Sequence, residues 1–354
     1  MENHEINDLL LKLLTVPGLS GREDPILHYL QKTWSPLVDE LQVSPLGSLQ
    51  GLVKGSASSP RPSILFAAHM DAIGLMVTGL RGDFIRVTKV GGVDARVLPG
   101  TKVTVHGKRD LQGVVYQLPS SLLPSSVSKK SVEIKYFLVD VGLEEEALTD
   151  LVRVGDLVTF RGEPFWLGEE VIVGPALDNR ASVAAITLLL HALQSAPPDW
   201  DVWVVATSQE EENMSGALTS AYAIQPDLAV AVDVTFASGP GTPDYQSYPM
   251  GEGIPLGWGP STHPALYHAF EEVAGEEGIS VTKEPLPMRS GTDADVLQIS
   301  AAGVPTMLLS IPLRYMHTPV EMVSTRDVLG VAKLMGVFVA RLKPDSLAAF
   351  EWDE

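Results

Sequence analysis

Trp203-Val204-Val205-Ala206-Thr207-Ser208-Gln209-Glu210-Glu211-Glu212-Asn213 runs from an apolar segment into three consecutive carboxylates. Its first half, VWVVAT, suits a strand buried in a sheet. Three negative charges at the end of such a strand read by default as a solvated loop. The ends of the other apolar runs decide whether that default holds.

Residues 63–68 are a second strand-like run, and His69-Met70-Asp71 follow it. Residues 228–234 are a third, with Asp233 at its end. Residues 305–311 are a fourth, with Tyr315-Met316-His317 just beyond. Helical spacing separates these runs, over residues 181–194, 215–224, 263–277 and 292–302. Residues 6–14 and 25–34 add two helical periods near the N-terminus, and 324–341 form a terminal helix. Ser324 and Asp327 have the spacing of a capping box with Asp in place of the usual Glu. Strands alternating with helices predict an α/β fold, a mostly parallel sheet flanked by helices on both faces.

Residues 73–166 have a different texture. Short β-like runs, such as Phe84-Ile85-Arg86-Val87-Thr88 and Lys102-Val103-Thr104-Val105-His106, lie between turn signals and dense glycines. A small β-rich domain is predicted there, inserted into a discontinuous α/β domain of residues 1–72 and 167–354.

Composition narrows the function. The 354 residues are 45% hydrophobic, enough for a large core and more than one domain. No segment approaches the roughly 18 apolar residues of a membrane helix. The N-terminus lacks a basic region followed by an apolar one, so no signal peptide is expected. There are no cysteines, which excludes disulfides and thiolate metal sites and fits a cytoplasmic location. A net charge of −19 repels phosphate backbones, so no nucleic-acid partner is expected. Any metal site must use His, Asp and Glu.

Ligands of open α/β sheets bind outside the carboxyl ends of the strands. Four such ends here carry His69, Glu210-Glu211, Asp233 and His317. Asp178, in Ala176-Leu177-Asp178-Asn179-Arg180, stands just before a helix. Two histidines and several carboxylates on one rim make the donor set of a di-metal hydrolase. His69 and Asp71 are two apart, so an extended chain puts them on one face. Asp71 is then placed to accept the other ring nitrogen of His69.

Together these segments resemble a family. His69-Met70-Asp71, Asp178 with Arg180, Gln209-Glu210-Glu211, Val232-Asp233-Val234, Ser290-Gly291-Thr292-Asp293-Ala294 and Tyr315-Met316-His317-Thr318-Pro319-Val320-Glu321 are similar to the motifs of the M42 metallo-aminopeptidases. The resemblance covers nearly the whole chain in the right order. It implies two divalent ions per subunit, zinc or cobalt by preference. One is held by His69, Asp178 and Asp233, the other by Asp178, Glu211 and His317, with Asp178 bridging. It implies Glu210 as general base toward a metal-bridging hydroxide. It also implies peptide substrates cut from the amino end, and a homo-oligomer, dodecameric by preference, built through the inserted domain. The register rests on Gly216-Ala217, whose distance fits only if Glu211 is the ligand. Three positions depart from the family pattern: Glu212 is usually apolar, Asn213 usually glycine, and Asn179 usually a second aspartate. Asn213 tolerates the positive φ the turn needs.

The remaining histidines, His106, His191, His263 and His268, read as structural. Met70, Met288 and Met307 read as core fillers. Trp258 either borders the pocket or packs. The ligand set alone also admits a di-metal amidase, deacylase or carboxypeptidase. A glycoside hydrolase fits less well, because neighbouring Glu210 and Glu211 point apart in extended chain. A metal-binding scaffold without turnover is the remaining reading.

Overall fold

The four apolar runs that end in polar residues lie side by side in one sheet. The structure is a computed structural model that describes residues 3–119, 121 and 133–351, so residues 122–132 of the insert lie outside the described residues. The chain opens with α1 (Asn3–Thr15), α2 (Asp24–Trp34), β1 (Glu40–Val43), β2 (Leu49–Val53) and β3 (Ser63–His69). The insert supplies β4 (Gly74–Arg81), β5 (Phe84–Val90), β6 (Lys102–His106), β7 (Asp110–Gln117), β8 (Phe137–Asp140), α3 (Glu145–Leu151) and β9 (Leu157–Phe160). Then come β10 (Phe165–Leu167), β11 (Val171–Gly174), α4 (Leu177–Ser195), β12 (Asp201–Thr207), the single turn α5 (Glu210–Asn213), α6 (Ser215–Ile224) and β13 (Leu228–Phe236). The chain closes with β14 (Ile254–Trp258), α7 (Pro264–Glu276), β15 (Val281–Pro285), α8 (Ala294–Leu297), β16 (Thr306–Arg314), β17 (Glu321–Ser324) and α9 (Thr325–Arg341).

The large sheet has 11 strands, ordered β1-β2-β12-β3-β13-β16-β17-β11-β10, with β14 and β15 branching from β16. Its centre, β12-β3-β13-β16, is parallel, and both flanks are antiparallel. Side chains alternate along β3. Ile64, Phe66 and Ala68 enter the core under α1, α2, α4 and α9. Leu65 and Ala67 enter a smaller core with Ala217 of α6 and Leu297 of α8. Both faces are therefore covered, which is why the strand sequences are apolar without alternation. The insert closes into a six-stranded barrel, β4-β5-β8-β7-β6-β9, around its own core of residues such as Leu75, Val103, Val139 and Val158.

Several expectations change. Residues 292–302 hold one turn, α8, rather than a full helix. Ser290 and Gly291 donate main-chain N–H groups to Asp295, and positive φ at Ala301 and Gly303 ends the segment. Phe165 and Trp166, expected in the insert, pair with Val173 and Ile172 in the large sheet. Ser324 Oγ does accept the Arg326 amide at 3.2 Å. The capping box stays half-built, because the Asp327 carboxylate takes the Gly251 amide at 2.7 Å instead. Burial pushes the Asp327 carboxyl up to about 7, against the pull of the Gly251 and Gly253 amides.

Candidate metal centre

Parallel register sets Thr207 of β12 beside His69 of β3, so the segments after both strands emerge on one rim. Gln209 turns the chain at φ 60, and Glu210, Glu211 and Glu212 fall into the single turn α5. Gly216 closes in behind this turn, where a Cβ would lie 2.3 Å from the Ser208 carbonyl oxygen. The turn's exposed amides need acceptors. Asp71 supplies two, taking Glu210 N–H at 3.0 Å and Glu211 N–H at 3.2 Å. Glu23 supplies a third, taking Gln209 N–H at 3.1 Å through an oxygen that also holds Gly21 N–H at 2.7 Å.

With its carboxylate so engaged, Asp71 meets His69 differently from the expectation. His69 Nδ1 lies 3.1 Å from the Asp71 main-chain oxygen and 3.6 Å from the carboxylate. A proton on Nδ1, donated to that carbonyl, leaves the Nε2 lone pair facing the cluster. Burial opposes the charge on Asp71, but His69 and the Glu210 amide outweigh it and hold its carboxyl below the usual range.

All seven expected site residues come together. His69, Asp178 and Asp233 form one group of potential ligand atoms within 4.8 Å of one another, and Asp178, Glu211 and His317 form a second. Asp178 Oδ1 lies 3.0 Å from His69 Nε2, while its Oδ2 lies 3.5 Å from His317 Nε2. Asp233 stands 3.8 Å from His69 Nε2, and Glu211 stands 3.5 Å from His317 Nε2. Glu210 overlooks the first group, with Oε2 at 3.6 Å from His69 Nε2. The sequence reading gave Glu321 no role. Its two oxygens accept the Asp178 amide at 3.0 Å and the His317 amide at 2.9 Å, tying two segments of the cluster together.

The electrostatics are those of a cation site. Burial, reinforced by Asp233, Asp293 and Asp178, pushes Glu210 up to about 10 against the pull of His69. Burial first, then Asp178, raises Glu211 and Glu321, and Asp233 follows the same pattern against the pull of His69. Burial also opposes a charge on His69, yet Glu210, Asp178, Asp71 and Asp233 hold its pKa well above the usual value. Glu211 Oε1 is buried with no hydrogen-bond partner. Crowded carboxylates, an orphaned buried oxygen and two imidazoles fit divalent ions of intermediate hardness.

The departures from the family pattern find local explanations. Glu212 accepts the Gly91 amide of the insert at 2.8 Å, which accounts for a carboxylate where the family is usually apolar. Asn213 does not take positive φ; Met214 does, at 58°. Asn213 instead accepts the Ser215 amide through its side chain at 3.0 Å. Asn179 donates to the Val232 carbonyl at 2.9 Å. The insert also touches the site directly. The Asp94 amide donates to the His317 carbonyl at 3.3 Å, and a Cβ on Gly92 would lie 2.4 Å from His317 Nδ1.

A cavity of about 410 Å³ opens from the cluster. His69, Asp178, Glu210, Asp233 and His317 line it together with Tyr248, Glu284, Leu286 and Leu308. Met288, expected in the core, is 77% exposed at this cavity, while Met70 and Met307 are buried as expected. Trp258 packs: it meets Tyr267 edge-on at 4.7 Å and carries the Lys283 ammonium 4.4 Å above its ring. His106 bridges Asp110 and Thr159 at 2.8 Å each, within the barrel.

Comparison with known proteins bears on the family and the fold. The sequence matches the family described as M42 glutamyl aminopeptidase over residues 47–334. The lysyl aminopeptidase of Pyrococcus furiosus is 35% identical over 345 residues, spanning 95% of this chain and 97% of that one. The TET aminopeptidase of a marine-sediment Thaumarchaeota archaeon superposes with a TM-score of 0.91 at 28% identity, covering 98% of this chain and 99% of that one. The TET1 peptidase of Pyrococcus horikoshii, which can assemble into a tetrahedron or a large octahedral shell, superposes with a TM-score of 0.83 at 28% identity, covering 95% and 100%. Motif order, the shared fold and the match over residues 47–334 agree, and the chain belongs to the M42 glutamyl aminopeptidase family, whose activity is peptide hydrolysis from the amino end.

Proposed function

We propose that this chain is a di-metal aminopeptidase in which His69, Asp178 and Asp233 hold one divalent ion and Asp178, Glu211 and His317 hold the other. The observation that carries this reading is Asp178, whose two oxygens face two different histidines. Zinc or cobalt ions bound there supply Lewis acidity, polarising the scissile carbonyl and acidifying water. Glu210 takes the proton from the attacking water and delivers it to the leaving amine. Asp71 and Glu23 hold the turn that carries Glu210, and Glu321 holds Asp178 and His317 in place.

The experiment is a pair of peptides. A peptide with a free amino end is shortened from that end, and its N-acetylated twin resists. Equal cleavage of both sinks the aminopeptidase assignment in favour of the deacylase or amidase reading.

The same proposal extends to assembly. The Pyrococcus horikoshii TET1 peptidase, similar over nearly the whole chain, can assemble into a tetrahedron or a large octahedral shell. The barrel insert, β4 to β9, serves here as an assembly domain for a homo-oligomer, a dodecamer by preference. A cytoplasmic setting suits a chain without cysteines, and among the described residues no helix is long and apolar enough to cross a membrane. Light scattering on the metal-loaded protein is expected to give a mass of many subunits. A fully active monomer at micromolar concentration removes the assembly role and leaves the chemistry untouched.

A further inference from the structure

The cavity beside the metal ligands contains a carboxylate that the hydrolysis does not use. Glu284, on β15, is 5% exposed, yet it lines the cavity. Its Oε1 accepts the Thr235 hydroxyl at 2.5 Å and its Oε2 accepts the Ser310 hydroxyl at 2.5 Å. Both donors sit next to the reaction. Ser310 is the cross-strand neighbour of Asp233, and Thr235 lies two residues beyond Asp233 on the same face of β13. Glu284 is therefore one side-chain layer away from the ligand set.

Among the described residues, two hydroxyls are the only hydrogen-bond partners of this carboxylate, and no cation stands within ion-pair distance of it. A carboxylate buried this far is costly without a compensating charge. Burial pushes its carboxyl above the usual range, and the two hydroxyls pull it back only in part. Leu286, Leu308 and Tyr248 line the same cavity and are of the kind that covers a methylene stem. Arg289 also borders the cavity, but it is exposed, where water and salt screen its charge.

We propose that this cavity receives the side chain of the peptide's first residue and that Glu284 selects a cationic one, lysine or arginine. The stem packs along the apolar walls, and the terminal cation provides the charge that the buried carboxylate lacks. The inference rests on the aminopeptidase reading above.

The test compares lysyl, norleucyl and Nε-acetyl-lysyl arylamides, which share a stem and differ in the terminal charge. In the wild type, the lysyl substrate is expected to exceed both others in kcat/KM by at least about 30-fold, the scale of a buried charge pair. Glu284→Gln removes the charge while keeping one oxygen to accept a hydroxyl and turning the other position into an amide that donates to the second hydroxyl's oxygen, so the lysyl-to-norleucyl ratio falls towards 1. A wild-type ratio near 1, or a ratio that Glu284→Gln leaves unchanged, overturns the inference. A uniform loss on all three substrates also overturns it, since that marks a structural or amine-binding role. Binding gives a readout without turnover: L-lysine is expected to raise the melting temperature of the metal-loaded wild type more than L-norleucine does. In Glu284→Gln the two ligands become equivalent. Failure to cleave any free-amine substrate, with lysine still preferred in the melting assay, refutes the aminopeptidase reading and supports the cation site. Equal shifts by both ligands refute the cation site itself.

Discussion

Glu210→Gln is expected to retain both metal ions and lose about 10²–10⁴-fold in kcat, the range of a positioned acid–base group. Gln has the shape of Glu and keeps the α5 turn, whose amides are held by Asp71 and Glu23. It cannot accept the proton of the attacking water. Metal content by atomic absorption and kcat on an aminoacyl arylamide separate the two properties. Near wild-type turnover in Glu210→Gln, with Glu211→Gln metal-loaded but inactive, shifts the assignment by one residue.

Asp178→Ala is expected to lose more. One side chain faces both ligand groups, so its removal weakens both at once. Turnover falls by more than about 10³-fold, since the metal's Lewis acidity goes with the metal. Stability follows the same logic. Without ions, the buried carboxylates of Asp178, Glu210, Glu211 and Asp233 repel one another. Chelation should therefore lower the wild-type melting temperature, and a divalent ion at about 100 times its Kd should restore about 2.7 kcal/mol. Asp178→Ala removes one repelling charge, so its metal-free form melts no lower than metal-free wild type. It should gain little when metal is added. Calorimetry with and without chelator decides this. A variant that is still metal-stabilised and active rules out the shared-ligand assignment.

The cluster proposed to hold metal was legible because its members stand at sequence landmarks. His69, Asp233 and His317 follow or end apolar runs, and Asp178 precedes a helix. The central strands could be read for the same reason: both faces are buried, so apolar composition marks them. The groups that hold the ligands left no such mark. Glu23 meets Gln209 across 186 positions of sequence, and Glu321 meets Asp178 across 143. Nothing local in either segment announces a buried acceptor for a distant amide. The antiparallel flanks were missed on similar grounds. β2 carries Gln50 in a fully buried strand, tolerable because its amide donates to Ser220 on α6 at 2.9 Å and its oxygen accepts from Gln42 on β1 at 2.9 Å. Glu284 was hidden too, on a short strand with mostly exposed neighbours.

The insert meets the site through Gly91, Gly92 and Asp94, which lean on Glu212 and His317. Such an insert is not a cassette. A barrel transplanted from a relative has to bring a matching pair of glycines, or the imidazole that faces Asp178 is pushed aside. In this chain, free exchange is thereby confined to barrel surface that does not meet Glu212 or His317. Its inward loop and the histidine it abuts have to change together.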